Sequence, residues 1–217
     1  GVGDALGLGG GGTLALDLHH AAGQSPLAGV QVQAARMRSS AFPLTLHDVS
    51  AAGTLGPGRC DIRTLSARWE REGKIEARAE ATWAQRAMTI NAALRAEGFS
   101  VTPELVAALP AALREQVEAT RLRGGVDLDL NRLAVHGPEP FGYELQGRAM
   151  FRDASMTLGL DWSELNGSLA GAAAVGRDGA ATFDARLELV RALAGGRRLT
   201  AWRGRVVRAT PREPVQI

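Results

Sequence analysis

A period of two runs through most of this 217-residue chain. Leu14, Leu16 and Leu18 alternate with Ala15, Asp17 and His19, and Val30 and Val32 with Gln31 and Gln33. Leu44 and Leu46 alternate with Thr45 and His47, and Ile75, Ala77, Ala79, Ala81 and Trp83 with Glu76, Arg78, Glu80 and Thr82. The second half repeats the pattern. Leu128 and Leu130 stand among Asp127, Asp129 and Asn131; Met156, Leu158 and Leu160 around Thr157 and Gly159; Phe183, Ala185, Leu187 and Leu189 among Asp184, Arg186 and Glu188. Successive side chains of a strand point to opposite faces, so each run reads as a strand with one dry and one wet face. Turn signals fall between the runs at Ala22-Gly23-Gln24, Gly56-Pro57-Gly58, Glu72-Gly73, Gly137-Pro138, Gly176-Arg177-Asp178-Gly179 and Gly195-Gly196. These short intervals predict antiparallel meanders of about ten to twelve strands.

One segment breaks the period. Thr102-Pro103-Glu104 reads as an N-cap, a first helical residue and an acid that complements the helix dipole. Leu105, Leu109, Leu113 and Val117 form an i+4 stripe, and Gly124-Gly125 stops the helix. Pro110 falls inside and should kink this helix or split it in two. A weak internal repeat surrounds it. Leu14/Leu16 and Leu128/Leu130 lie 114 positions apart, as do Leu44/Leu46 and Leu158/Leu160, and Gly53-Thr54-Leu55 and Gly167-Ser168-Leu169. The expected organisation is a Gly-rich linker over 1–12, a first β unit over 13–100, a helical connector over 101–123, a second β unit over 124–208 and a tail over 209–217. The chain opens on Gly1, and the expectation is a segment of something longer, with its targeting signals elsewhere.

Composition narrows the function classes. The chain has 45% hydrophobic residues, but roughly two fifths of these are alanine and aromatics are only 5% of the chain. Side chains able to fill a thick core are therefore scarce. No apolar run approaches the 18 or more residues of a spanning helix. Cys60 stands alone, which excludes a disulfide framework and a cysteine cluster for a metal. A net charge of +2, with arginines interleaved among acids as in Arg68-Trp69-Glu70-Arg71-Glu72, does not point to nucleic acid. Arg203, Arg205 and Arg208 make one basic edge.

Catalytic and cofactor motifs fail one by one. Gly7, Gly9 and Gly12 spell G-x-G-x-x-G but precede an alternating strand, where the dinucleotide fingerprint needs a helix. Asp127, Asp129 and Asn131 begin like a calcium loop, yet Arg132 and Pro138 occupy the positions of its glycine and closing glutamate. His19, His20, His47 and His136 have no metal-ligand spacing, and Cys60 has no identifiable base. Asn166-Gly167-Ser168 is a formal glycosylation sequon that also suits a tight turn. The reading is a non-enzyme without cofactor or metal.

The open question is what covers the dry faces. One interrupted helix of about 10 Å diameter covers three or four strands at about 4.8 Å spacing. Either the sheet packs on itself as a β-sandwich, or it curls and leaves an apolar trough that needs an apolar occupant. Small inward residues such as Ala77, Ala79 and Ala81 leave space above the sheet.

The stretch Ala41-Phe42-Pro43-Leu44-Thr45-Leu46-His47-Asp48-Val49-Ser50-Ala51-Ala52-Gly53, the strand Cys60–Ala67 and then Gly73-Lys74-Ile75-Glu76-Ala77 resemble the repeat of AsmA-like proteins, the group that includes TamB and YhdP. Leu109-Pro110-x-x-Leu113-Arg114 followed by Gly124-Gly125-Val126-Asp127-Leu128 is similar to connectors of that group, and Trp162-x-x-x-x-Gly167-Ser168-Leu169 resembles a degenerate second copy of the Asp-Val-x-x-x-Gly element. The resemblance implies a mainly β fold: a curved antiparallel β-groove with one short, Pro-interrupted helical connector, the alternative being a β-sandwich. It further implies a periplasmic segment of a protein anchored in the inner membrane. Such a segment holds phospholipid or another acyl lipid and carries it between inner and outer membrane together with neighbouring repeats of the same chain. The residues expected to line the groove are Leu44, Leu46, Leu65, Ile75, Leu128, Leu130, Leu158, Leu160, Phe183 and Leu187. The rival is a non-enzymatic scaffold or protein-binding module of the cell envelope.

Overall fold

A computed structural model describes residues 8–19, 26–39, 44–69, 73–84, 87–109, 111–137 and 141–208. Its eleven strands are β1 (Leu8–His19), β2 (Leu27–Ser39), β3 (Thr45–Gly56), β4 (Arg59–Trp69), β5 (Gly73–Ala84), β6 (Ala87–Val101), β7 (Arg123–Gly137), β8 (Gly142–Leu158), β9 (Leu160–Val175), β10 (Ala181–Ala194) and β11 (Arg197–Arg208). Each pairs antiparallel with its chain neighbours, giving one sheet in the order β1 to β11. The sheet is a curved β-groove that does not close into a barrel, and β1 and β11 are its edges among the described residues. The described strands form no second sheet, so the sandwich alternative is set aside. The two β units join into this one sheet through the β6–β7 pairing.

Register carries the period-two pattern across the whole sheet. One line of directly opposed residues runs Leu14, Val32, Ala51, Leu65, Ala77, Leu94, Leu130, Gly147, Gly171, Ala185 and Val206, one from each strand. A second runs Leu16, Val30, Gly53, Ile62, Ala79, Ala92, Leu133, Leu145, Ala173 and Phe183. The first contains no polar residue, and the second is apolar from β1 to β10 and meets Arg208 on β11. A line on the opposite face reads Glu76, Arg95, Asp129, Arg148, Ala170, Arg186 and Arg205. One face is thus predominantly apolar and the other charged. A one-residue slip anywhere would exchange them, which fixes the register.

The apolar face is the inner one. Val206 sits on edge strand β11, yet only 2% of it is exposed, and Leu165 on β9 is at 0%. With no second sheet to cover them, burial of that degree requires the sheet to fold this face inward. Rings on alternate strands meet across the bend. Trp69 of β4 stacks on Phe99 of β6 with centroids 4.9 Å apart, above Gly73 of the intervening β5. Trp162 of β9 reaches Trp202 of β11 at 6.1 Å. A Cβ at Gly73 would press on the Trp69 carbonyl oxygen and the Phe99 ring, so that position must be bare.

Bulges supply the curvature. Asp48, Gly98, Asp153, Glu164 and Ala201 all adopt positive φ within strands, at 49°, 73°, 46°, 49° and 52°. Each is followed by an apolar residue returned to the inner face: Val49, Phe99, Ala154, Leu165 and Trp202. Side chains hold the bulges in place. Asp127 Oδ1 accepts from the Gly98 N–H at 2.7 Å and from Arg152 at 2.9 Å. Asp153 and Asn166 bond reciprocally: the Asp153 N–H donates to Asn166 Oδ1, and Asn166 Nδ2 donates to Asp153 Oδ1 at 2.8 Å. Arg191 adds a second bond to Asp153 Oδ1 at 2.7 Å.

Several expectations change here. Leu8–Gly12, read as linker, pair with β2 as strand, because glycine without side chains can still complete a backbone ladder. Met156–Leu160, read as one alternating strand, contains a hairpin: Gly159 at φ 68° turns the chain, and Leu158 faces Leu160. Gly167, expected in a turn, is mid-strand. The β9 counterpart of Asp48-Val49 is Glu164-Leu165, two residues beyond Trp162. Gly53 and Gly167 do occupy like positions: a Cβ on either would run into a carbonyl oxygen of the next strand, Asp61 or Glu188.

The connector forms α1 (Pro103–Ala108) and α2 (Ala111–Thr120), divided at Pro110, which lies outside the described residues. Thr102 caps α1, its Oγ1 accepting from the Leu105 N–H at 3.3 Å. Phe42 and Pro43, and the tail 209–217, also lie outside the description.

Gly53→Ala and Gly167→Ala should each lower stability by about 1–3 kcal/mol, because backbone must move to admit the methyl; urea denaturation checks this. Acid should also destabilise the fold. Hydrogen bonds from Asn166 and Arg191 hold the Asp153 carboxyl below its usual range, and Arg205 does the same for Asp184. Folded values below unfolded ones mean a contribution present above about pH 4 and lost as pH falls through the depressed values. Melting curves from pH 6 to pH 3 should show a falling Tm, with a smaller fall in Asp184→Asn.

Candidate functional site

The inner face is built from three packed regions and an open remainder. Val126, Phe151, Ala154, Met156, Trp162, Leu165, Leu187, Leu189, Ala192 and Val206 form the largest cluster, over β7 to β11. Leu44, Trp69, Ala96, Phe99 and Ala108 form a second, and Tyr143, Val175 and Ala181 a third. The connector lies on this face. Ala108 of α1 belongs to the second cluster with Leu105 against it, Leu113 of α2 packs on the third, and Leu122 packs on the first. Gln116 Nε2 donates to the Gly179 carbonyl at 3.0 Å and ties α2 to the turn before β10.

The expected lining residues divide among these environments. Leu44 and Leu187 are buried cluster members. Leu46 and Ile75 pack around Trp69 and Phe99, Leu128 touches both larger clusters, and Phe183 packs on the first. Leu65 and Leu130 lie half-buried on the middle of the sheet, in one line with Ala77 and Leu94. Leu160 is exposed beside the Gly159 turn, and the side chain of Leu158 lies outside the description. The structure adds Leu94, Leu133 and Leu145 to the same face, and the five aromatics Trp69, Phe99, Phe151, Trp162 and Trp202. The bulges hid some of these aromatics, since each αL residue reverses the parity of the residues after it. The run Asp-Val in β3 was the available signal.

Toward β1 the face opens. Leu14, Leu16 and Leu18 are 56%, 57% and 79% exposed. No described polar or charged residue is buried as a whole. The Trp162 indole Nε1 is the one described buried side-chain nitrogen or oxygen without a hydrogen-bond partner. A surface this dry can bind by displacing water from apolar area.

Most of the charge lies on the outer face. Arg205 grips both oxygens of Asp184, at 2.7 and 2.5 Å, and Arg59–Glu80, Lys74–Glu76 and Arg132–Glu144 bridge or flank neighbouring strands. Asp127, weighed as a calcium ligand, is occupied with Gly98 and Arg152. Among the described residues no cluster of His, Cys, Asp and Glu could hold a metal ion. Burial, and then Asp61, push the half-buried Cys60 thiol up, so its reactive thiolate is disfavoured. No described helix is long and apolar enough to cross a membrane.

No protein-family model, curated protein or solved structure matches this chain. The site must therefore be read from its own geometry.

Two leucines of that geometry should respond differently to truncation. Leu187→Ala, at a core position, should cost about 2–4 kcal/mol, whereas Leu65→Ala should cost about 1 kcal/mol. Equilibrium denaturation of both variants checks which parts of the face are closed and which are open.

Proposed function

We propose that the inner face of the sheet holds acyl chains of phospholipid or a similar lipid, and that the chain is a groove segment of a lipid-transfer protein. The observation that carries this reading is the uninterrupted line of directly opposed apolar residues from Leu14 on β1 to Val206 on β11. An acyl chain lying on such a line meets no polar side chain. About 0.8 kcal/mol per buried methylene would retain it. From Val32 on β2 to Leu130 on β7 the line stays half-buried from strand to strand, so sliding along that stretch costs little. Ala51, Ala77, Gly147, Gly171 and Ala185 keep one line shallow, leaving room for a chain above the backbone. Headgroups would remain in water at the groove mouth.

Eleven strands at about 4.8 Å span roughly 50 Å. Passage between inner and outer membrane would then need neighbouring repeats, in the manner of the AsmA-like group, and would place the segment in the periplasm. One observation favours the scaffold reading for part of the molecule. The β7–β11 cluster is closed, so lipid there would have to displace side chains. The half-buried middle around Leu65, Leu94 and Leu130 is the better binding stretch.

Native mass spectrometry and lipid extraction of the purified chain should find phospholipid, and the chain should take up a fluorescent phospholipid. Leu65→Asp with Leu130→Asp should abolish uptake while the circular dichroism spectrum is unchanged. A lipid-free preparation that takes up no probe would favour the scaffold.

A further inference from the structure

Among the described residues, strand β1 is a sheet edge that pairs on one side only. It is twelve residues long and has no lysine, arginine or proline, the devices that usually keep sheet edges from pairing. Its apolar face carries the exposed Leu14, Leu16 and Leu18. The opposite edge is different: β11 carries Arg197, Arg198, Arg203, Arg205 and Arg208, and its Val206 is already buried. Two β11 edges would set arginines against arginines, and β11 has few exposed apolar groups to give β1.

We propose that β1 pairs antiparallel with β1 of a second copy of this chain, about a two-fold axis at Leu16. The axis follows from face and charge. Directly opposed residues in an antiparallel pair share a face, so the two inner faces stay on one side only if leucine opposes leucine. With the axis at Leu16, Leu16 faces its own copy, Leu14 faces Leu18 twice, and Asp17 faces Ala15. An axis at Asp17 would set two carboxylates against each other, which is destabilising. An axis at Ala15 would leave Leu18 opposite Gly12. The Leu16 axis thus buries the most leucine without a like-charge pair. It closes after two copies, as a self-complementary interface does, and it continues the apolar lines of one copy into the other. The pairing does not depend on lipid occupancy.

Sedimentation velocity across a concentration series should show a monomer–dimer equilibrium. Leu16→Lys, which sets two cations face to face, should weaken it about tenfold or more without altering the circular dichroism spectrum. In a Cys60→Ser background, Leu16→Cys should oxidise to a covalent dimer. Leu18→Cys alone should not, because its two copies are offset by four residues, but a mixture of Leu14→Cys and Leu18→Cys chains should. A monomer at every concentration would overturn the proposal, as would a dimer indifferent to Leu16→Lys. A ladder of larger oligomers abolished by Arg203→Glu would overturn it in favour of head-to-tail β1–β11 pairing.

Discussion

Everything in this molecule depends on a sheet with one apolar face and no second layer to cover it. A flat sheet of eleven such strands would present that face to water from edge to edge. The chain meets the constraint by bending. Bulges at Asp48, Gly98, Asp153, Glu164 and Ala201 turn the strands inward, and rings on alternate strands meet across the bend. The connector adds a partial cover with Leu105, Ala108, Leu113 and Leu122. Burial is complete where these devices coincide, over β7 to β11, and incomplete toward β1.

The division of labour between the faces is sharp. Outside, acids and arginines face each other across strands and their ion pairs are solvated, worth little individually. Their larger effect is to fix which face is outside. A few polar groups do more, because they hold backbone. Asp127 on the Gly98 N–H and Asn166 on the Asp153 N–H satisfy groups that bulging takes out of the ladder, and Arg191 holds the Asp153 carboxylate.

Much of this architecture was legible in the alternation. The dry and wet faces of β5, β7 and β10, the capped and proline-split connector and most of the hairpin positions follow from residue order, since period-two patterning is a local property. The parity changes did not follow. Nothing in Glu164 or Ala201 announces a left-handed backbone, so residue order alone does not assign Leu165 and Trp202 to the core. Gly159 hid a hairpin inside a run that still alternated. Which leucines would be closed and which open was also invisible, because that depends on how far the sheet bends. Leu187 and Leu65 occupy equivalent positions in a strand pattern but different environments in the groove.

The central claim is that the middle of the inner face is a place where an acyl chain rests. Paramagnetic broadening by a phospholipid with a nitroxide on its acyl chain tests it most directly. The methyl resonances of Leu65, Leu94 and Leu130 should broaden, while those of Thr64 and Thr182 on the outer face stay sharp. Equal broadening of both faces, or none at Leu65, Leu94 and Leu130, would contradict the account.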